Sequence, residues 1–304
     1  MTDSPTPASP APGTPTTIAG LAYRSTPGAE ALLDLYLPAS RTPDAPLPLL
    51  VYLHGGAWIM GRRDETPDRL ARIAEQGVAV ASIDYTPVQD APYPAQLDDI
   101  LDALGWLAAH ASDYGIDLSR TVLGGASAGG HLALLSGLRL TDPSEPTPEL
   151  PEGVRLTGLL SMFASLDLTA GKPLVDPARG LRPPAMIAEA TPPAFFEGRH
   201  PSPRERAALL VGVTEDELNE ELLAAHSPVH RVHPAAPETL LVHGTADAIA
   251  SSVHSTRFAE AAKVQGADAE VLLVEGANHE GPEFGSDEVA RRIGTFVRGE
   301  RDAR

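Results

Sequence analysis

The sequence predicts an α/β protein built on a mostly parallel central sheet, and three observations carry that prediction. Short continuous runs rich in Val, Leu and Ile alternate along the chain with longer amphipathic stretches. Several short runs end in glycine-rich turns, and the long stretches keep their apolar residues at helical spacing. Continuous apolar runs are typical of strands buried on both faces, and their alternation with helices favours a doubly wound parallel sheet.

Seven runs are predicted to be strands from their length and apolar composition. In chain order they are Leu32–Leu37, Leu49–Leu53, Val78–Ile83, Arg120–Leu123, Leu156–Met162, Thr239–His243 and Glu270–Val274. In a doubly wound sheet, ligands bind at the carboxyl ends of the parallel strands. The turns that directly follow these runs are therefore where chemistry is expected.

The stretches between the runs are predicted to be helices. Thr66 followed by Pro67 is typical of a helix start, with a capping side chain and a proline at the first helical position. From Pro94 to Ala108 the apolar residues form one stripe over three helical turns. Three more helices are predicted over Ser127–Leu140, Ser252–Val264 and about Ser286–Val297.

Two segments depart from this alternation. Residues 1–17 contain five prolines and little apolar surface, so they are predicted to be a disordered tail before a domain that spans 18–304. Residues 163–237 hold eleven prolines between two predicted strands, and so long an insertion at a strand end predicts a cap or lid. Within it, Thr214–Ala225 is predicted to be a short helix with Thr214 as its N-cap.

Composition and charge exclude several classes of function. The chain of 304 residues has no cysteine, which excludes disulfides, a thiolate nucleophile and Cys-ligated zinc. Its 23 Lys and Arg against 41 Asp and Glu give a net charge of −18, which repels nucleic acids. No apolar run approaches the ~20 residues of a membrane span, and no basic, apolar leader opens the chain. We therefore expect a soluble cytoplasmic protein.

The segment Gly125–Gly129 (GASAG) directly follows one predicted strand and opens a predicted helix. A serine between small residues in a sharp strand-to-helix turn is typical of a nucleophile elbow, which presents the hydroxyl above the sheet. In such a turn the backbone N–H of the next residue, Ala128, points to where an oxyanion would form. The alternative is a glycine-rich turn in which Ser127 caps the helix, but the flanking strand and helix favour the elbow.

A second glycine-rich loop, His54–Trp58 (HGGAW), follows another predicted strand 73 residues before Ser127. Glycines allow a loop to aim successive backbone N–H groups at one point, which the developing oxyanion of acyl transfer requires. The alternative is a tight turn in which His54 packs structurally. Agreement between the two glycine-rich segments favours a role in catalysis.

A serine nucleophile needs a base. Among ten histidines, His279 is the best placed, because its loop follows the last predicted strand and precedes the final helix. His243, at a strand end, and His131, in the elbow helix, are less favourably placed. The base needs an acid that orients it, and Asp247 follows a strand 32 residues before His279. The resulting order of serine, aspartate and histidine is the one expected of α/β-hydrolases.

Other acids and histidines remain as alternatives. Asp167, just beyond the preceding strand, is the rival acid, and Glu275 and Glu280 are sequence neighbours of the candidate base. A histidine cluster with metal-ligand spacing consists of His226, His230 and His233. A proline interrupts this cluster and its spacing fits no single helix face, so a solvated or capping role is favoured over metal binding.

Together these segments resemble the α/β-hydrolase esterases of the acetyl-esterase and hormone-sensitive-lipase-like branch, and most of all the BD-FAE-like carboxylesterases. The resemblance extends from about residue 20 to residue 298. It rests on HGGAW (54–58), DYTPVQDAPYPAQLDD (84–99), GASAGGHLALL (125–135), HGTAD (243–247) and GANHEG (276–281). It implies an α/β-hydrolase fold, in which the 163–237 insertion would be a cap.

The resemblance also implies the roles of individual residues. Ser127 would be the nucleophile, His279 the general base and Asp247 the acid that orients the histidine. The implied oxyanion donors are the backbone N–H groups of Gly56, Ala57 and Ala128. Many relatives have a third glycine where this chain has Ala57, which keeps the N–H but restricts the loop.

The implied function is a serine carboxylesterase that hydrolyses short-acyl esters through an acyl-enzyme. Such an enzyme needs neither a metal nor an organic cofactor, and its partner is a small-molecule ester. Pairing through an edge strand or the cap would allow a homodimer. Two alternatives stay open: an arylformamidase-like amide hydrolase, in which an aromatic residue also follows the HGG loop as Trp58 does here, and a non-catalytic binding protein on a hydrolase fold.

Overall fold

Eight strands and seven α-helices make up the part of the chain that the computed structural model describes, which is residues 15–26, 29–41, 45–170, 196 and 199–300. The strands are β1 Thr16–Thr26, β2 Ala29–Leu37, β3 Leu47–Leu53, β4 Ala79–Ile83, β5 Ile116–Ala126, β6 Leu156–Met162, β7 Glu238–Gly244 and β8 Ala269–Val274. The helices are α1 Pro67–Ala74, α2 Ala95–Tyr114, α3 Ala128–Thr141, α4 Pro203–Val211, α5 Glu220–Ala225, α6 Val253–Gln265 and α7 Asp287–Val297.

The strands form one sheet in the order β1-β2-β4-β3-β5-β6-β7-β8. All neighbouring strands from β4 to β8 pair in parallel, whereas β2 is antiparallel to both β1 and β4. Strands β3 and β4 are buried along their whole length because helices cover both faces of the sheet. The predicted mostly parallel α/β sheet is therefore confirmed, and all seven predicted strands are present.

Strand β1 was missed in the sequence, and it changes the predicted domain boundary. It begins at Thr16, inside the predicted tail, so the ordered domain starts two residues before residue 18. Its mixed sequence, TTIAGLAYRST, lacks a continuous apolar run because β1 lies at the sheet edge and pairs only with β2. Residues 1–14 lie outside the described residues, so the disordered tail stays a prediction.

Segment 163–237 connects β6 to β7, and residues 171–195, 197 and 198 of it lie outside the described residues. The predicted helix Thr214–Ala225 is wrong at its start. Helix α5 begins only at Glu220, where the side chain of Asn219 accepts a hydrogen bond from the Leu222 N–H. The Thr214 hydroxyl instead donates to Glu217 in the preceding turn, so the stronger cap downstream decides where the helix begins.

The described part of this segment is joined to the sheet-flanking helices by hydrogen bonds. The Nε2–H of His131, on α3, donates to the carbonyl oxygen of His226 at 2.8 Å. The N–H of Tyr93, just before α2, donates to the carbonyl oxygen of Leu210 on α4 at 3.0 Å. These contacts hold the segment against the first halves of α2 and α3.

Candidate active site

Ser127 lies in a sharp turn between β5 and α3. Its backbone has φ 50° and ψ −117°, a region that residues other than glycine rarely adopt. Its N–H donates to the carbonyl oxygen of Met162, at the end of neighbouring strand β6, at 2.8 Å. The sheet therefore holds the serine in a strained conformation, as expected when the surrounding structure over-determines a functional residue.

The small residues around Ser127 are required by backbone packing. A Cβ atom on Gly125 would lie 2.5 Å from the carbonyl oxygen of Leu53, far inside van der Waals contact. A Cβ atom on Gly129 would overlap the carbonyl oxygens of both Leu53 and His54. Since these atoms belong to β3 and the loop after it, the elbow packs directly against the HGGAW loop.

A continuous hydrogen-bond relay joins three of the predicted site residues. The Ser127 hydroxyl lies 2.9 Å from Nε2 of His279, and Nδ1 of His279 lies 2.8 Å from Oδ2 of Asp247. Because the carboxylate only accepts, Nδ1 carries the proton and Nε2 is free to accept from the serine. Serine and histidine are 152 residues apart in the chain, and the fold brings them into direct contact.

Asp247 is held as a carboxylate by four donors. Its Oδ1 accepts from the N–H groups of Ile249 and Ala250 at 2.8 and 2.9 Å, and its Oδ2 accepts from His279. The fourth donor is Nε2 of His243, 3.2 Å from Oδ2. Burial opposes ionisation, but the hydrogen bonds from the two histidines outweigh it and hold the pKa of Asp247 well below its usual range.

His243 is therefore a neighbour of the acid and makes no contact with the serine. Its ring is fully buried, Nε2 also lies 2.8 Å from the Ala250 carbonyl oxygen, and Nδ1 lies 2.7 Å from the Ser255 hydroxyl. The carbonyl requires a proton on Nε2, so Nδ1 accepts from Ser255. The position of His243 four residues before Asp247, in HGTAD, was the signal for this contact.

Two further residues position His279. The Oδ1 atom of Asn278 accepts from the N–H groups of both His279 and Ala248, at 2.8 and 3.0 Å, and so ties the histidine loop to the aspartate loop. The ring of Phe163 packs edge-to-face on the imidazole with centroids 5.0 Å apart. The sequence pattern did not identify Asn278 or Phe163, because both act across loops that meet only in the fold.

The HGGAW loop turns sharply beside the elbow. Gly56, Ala57 and Trp58 all have positive φ, at 112°, 54° and 67°. A Cβ on Gly56 would overlap the carbonyl oxygen of Met60, so this position requires glycine. His54 stacks on the ring of Tyr85 at 4.2 Å, and burial lowers its pKa to about 4, which leaves it neutral at pH 7.

The three predicted oxyanion donors are backbone N–H groups at the two glycine-rich turns. Among the described residues, the backbone N–H groups of Gly56, Ala57 and Ala128 donate to no backbone or side-chain oxygen. That of Ala128 is the first N–H of α3, where the helix dipole favours negative charge. These donors are available to an anionic group near Ser127.

The remaining sequence candidates lie elsewhere. Asp167, the rival acid, forms an ion pair with Arg257 at 3.0 Å and is not part of the relay. Glu275 is exposed, and Glu280 lies 3.9 Å from Arg69. Within the described ranges no three His, Asp or Glu side chains form a metal-binding group. Two of the clustered histidines, His226 and His233, instead donate ring N–H groups to the carbonyl oxygens of Leu222 and Leu138.

The sheet order, the strained strand-to-helix turn and the adjacent glycine-rich loop define the class of this protein, which has the α/β-hydrolase fold. Two solved structures share the fold over nearly the whole chain. A truncated carbohydrate esterase from gut microbiota has a TM-score of 0.72 at 21% identity, covering 95% of this chain and 97% of its own. Thermogutta terrifontis esterase 2, phosphonylated by sarin, has a TM-score of 0.65 at 22% identity, covering 94% of each chain.

Within this class, the chain belongs to the BD-FAE family, whose model matches residues 33–262. Esterase LipQ of Mycobacterium tuberculosis (strain ATCC 25618 / H37Rv) is 29% identical over 241 residues, 79% of this chain and 51% of LipQ. Esterase LipC of the same strain is 30% identical over 246 residues, 78% of this chain and 54% of LipC. The chain thus spans about half the length of these curated relatives. In the portion that the structure describes, no helix has the length and apolarity to cross a membrane.

Proposed function

We propose that this chain is a serine carboxylesterase that hydrolyses short-acyl esters. The observation that carries the proposal is the relay from Ser127 through His279 to Asp247, at 2.9 and 2.8 Å. A neutral serine is a weak nucleophile, and a histidine at this distance activates it by taking its proton. Membership of the BD-FAE family and the similarity to LipQ and LipC, both named esterases, support the same activity.

The proposed reaction proceeds in two steps. Ser127 Oγ attacks the ester carbonyl while its proton passes to Nε2 of His279, and the imidazolium is stabilised by Asp247. The tetrahedral oxyanion lies against the N–H groups of the HGGAW loop and of Ala128, and the alcohol leaves with the proton from His279. Water, deprotonated by the same histidine, then attacks the acyl-enzyme and releases the acid and the free serine.

The oxyanion donors contribute because they are oriented before the reaction begins. The loop holds Gly56 and Ala57 at positive φ, and close packing of Gly56 against Met60 fixes the turn before charge develops. Removing one such donor from a serine hydrolase costs about 10²- to 10³-fold in rate. Segment 163–237 is proposed to cap this site, and its described helices pack against α2 and α3 beside it.

The experiment is a series of p-nitrophenyl esters of increasing acyl length, hydrolysed by the wild type and by Ser127→Ala. We expect the highest kcat/KM for the shortest acyl chains and a loss of roughly four to six orders of magnitude in kcat in the variant. The matched control is Ser119→Ala, at an exposed serine whose hydroxyl donates to Asp117. Equal rates for the wild type and Ser127→Ala would refute the proposal.

A second panel separates esters from amides. Trp58 follows the HGG loop and packs edge-to-face on His131 at 5.2 Å, an aromatic wall that also suits an aryl group. Aryl acetates and N-formyl aryl amides are compared at equal concentrations. Faster turnover of the esters supports the carboxylesterase, and faster turnover of the formyl amides would instead assign an arylformamidase-like activity. If a fluorophosphonate probe does not label the wild type, the chain is a non-catalytic binding protein.

A further inference from the structure

A cavity of about 310 Å³ lies beside the C-terminal half of α3, where segment 163–237 meets the helices that flank the sheet. Leu135 and Arg139 line it from α3, and His226 and Arg231 line it from the segment. Arg139 follows Ser127 by twelve residues, which at the helical rise of 1.5 Å places it about 18 Å along the axis. The cavity is therefore separate from the proposed catalytic relay.

The charges around the cavity leave one positive charge uncompensated. Arg231 is paired with Glu145 at 2.5 Å. Arg139 has no carboxylate within ion-pair distance among the described residues, although the chain as a whole is strongly acidic. Burial lowers the pKa of His226, so this imidazole is neutral at pH 7 and adds no charge. The wall therefore carries a net charge of about +1.

Among the described residues, three buried polar atoms in and beside the wall make no hydrogen bond of normal length and angle, although the Tyr93 hydroxyl lies close enough to Ser136 and Arg139 to interact with both. The three atoms are Oη of Tyr93, Nε of Arg139 and Oγ of Ser136. Ser136 directly follows Leu135 in α3. Tyr93 is only 8% exposed, and Ser136 is fully buried. Polar groups in such a position are normally hydrogen-bonded, so these atoms are well suited to a polar ligand. The guanidinium and the phenol both donate, which matches an anionic acceptor.

The rest of the wall is apolar and aromatic. The rings of Tyr93 and His226 pack edge-to-face with centroids 5.9 Å apart, and Leu135, Ala225 and Pro94 complete the surface. A ligand that fits must therefore combine one anionic group with an organic body. Glu145 would repel a second negative charge, which disfavours a phosphate dianion relative to a carboxylate.

We propose that this cavity binds small organic monocarboxylates, with the carboxylate on Arg139 and Tyr93 and the organic body against Leu135 and Ala225. Charge-assisted hydrogen bonds from a guanidinium are about twice as strong as neutral ones, so Arg139 is the main determinant of affinity. A bound acid would contact α3 on one side and the cap segment on the other, and would stabilise their junction. This site is independent of the proposed esterase activity.

The test uses benzoate as the probe and benzamide, its neutral isostere, as the matched ligand, both titrated into the full chain by isothermal calorimetry. Benzoate is expected to bind saturably, with benzamide at least about tenfold weaker because it lacks the charge. Arg139→Gln is expected to weaken benzoate binding by about tenfold or more. The control variant is Arg72→Gln. Arg72 is an exposed arginine on α1 that pairs with Asp287 on α7, and this variant should bind benzoate like the wild type.

Further variants keep the test decisive. Tyr93→Phe removes only one hydroxyl and should weaken benzoate binding several-fold. If circular dichroism shows that Arg139→Gln is unfolded, Tyr93→Phe takes its place in the test. Binding in Ser127→Ala should equal that of the wild type, which separates this cavity from the proposed catalytic site. Equal affinity for benzoate and benzamide, or unchanged benzoate binding when Arg139 or the Tyr93 hydroxyl is removed, would overturn the proposal.

Discussion

The two ends of helix α3 differ in how completely their polar atoms are partnered. At the N-terminal end, Ser127 contacts His279, and each Asp247 oxygen has two donors. Toward the C-terminal end, among the described residues, Arg139 forms no ion pair and the Tyr93 hydroxyl makes no hydrogen bond of normal length and angle. One helix thus begins in a tightly constrained site and ends beside an open cavity.

The difference shows what each region requires. Proton transfer depends on atoms that are already at hydrogen-bond distance. The N-terminal end of α3 meets this need because backbone packing and hydrogen bonds to neighbouring strands hold it in place. A binding cavity needs unpaired donors that a ligand can reach. We therefore expect substitutions at the first end to change rates and folding strongly, and substitutions at the second to change ligand affinity.

After loss of the nucleophile itself, the largest effect is expected from Asp247→Asn. An amide in place of the carboxylate leaves His279 in the wrong tautomer, and we expect kcat for a p-nitrophenyl ester to fall by about 10⁴-fold. The control is Asp167→Asn, which removes a carboxylate from the ion pair with Arg257 and leaves the relay intact. If Asp167→Asn loses as much activity as Asp247→Asn, then the acid has been assigned to the wrong residue.

Low pH is expected to lower the free energy of unfolding of the chain through three buried histidines. Burial lowers the pKa of His54 and His254 to about 4 and that of His131 to about 3, whereas unfolded histidine titrates near 6.5. The unfolded chain therefore binds more protons below pH 6.5. Each histidine lowers the free energy of unfolding by up to about 1.4 kcal/mol per pH unit until its folded pKa is reached.

Urea denaturation at pH 7, 6 and 5 measures this dependence. Glu65 has the opposite effect on stability. Partial burial and the charge of Glu280 raise its pKa to about 7, so the folded chain binds this one proton more tightly than the unfolded chain. Part of the Glu65 side chain remains in contact with solvent, so water screens its contribution. Stability should fall clearly from pH 6 to pH 5, and a flat profile would contradict the neutral buried state of these histidines.

A smaller effect, on folding, is expected from Gly129→Ala. The added Cβ would meet the backbone oxygens of Leu53 and His54, which cannot move without shifting β3, so we expect a loss of about 1–3 kcal/mol together with lower activity. The control is Gly105→Ala in α2, where a Cβ has open space, and a gain of about 0.5–1 kcal/mol is expected. Similar urea midpoints for the two variants would show that the elbow tolerates a side chain.

The smallest effect is expected at His243, which acts only through Asp247. Removing its N–H in His243→Leu takes one of four donors from the carboxylate, so kcat/KM should fall by roughly tenfold. The pKa of Asp247 should rise, because its charge loses one stabilising hydrogen bond. His243→Gln restores a donor and should recover part of the rate. A loss of rate that His243→Gln does not recover at all would indicate a merely structural role.

The sequence by itself determined the features that depend on neighbours along the chain. All seven apolar runs became strands, and those at the centre of the sheet, such as β3 and β4, are continuous in apolar residues because both of their faces are buried. GASAG and HGGAW became tight turns in which backbone atoms leave no room for a side chain at Gly56, Gly125 and Gly129. The order Ser127, Asp247, His279 also followed from motifs placed after strands. These properties need only local spacing and residue size.

The tertiary structure decided everything that depends on contacts between distant segments. Ser127 and Asp247 both reach His279 because the loops after three different strands meet at one edge of the sheet. The cavity beside Arg139 exists because segment 163–237 packs against α3. Such contacts join residues tens to more than a hundred positions apart, and no local pattern encodes them, since only the folded sheet sets which loops are neighbours.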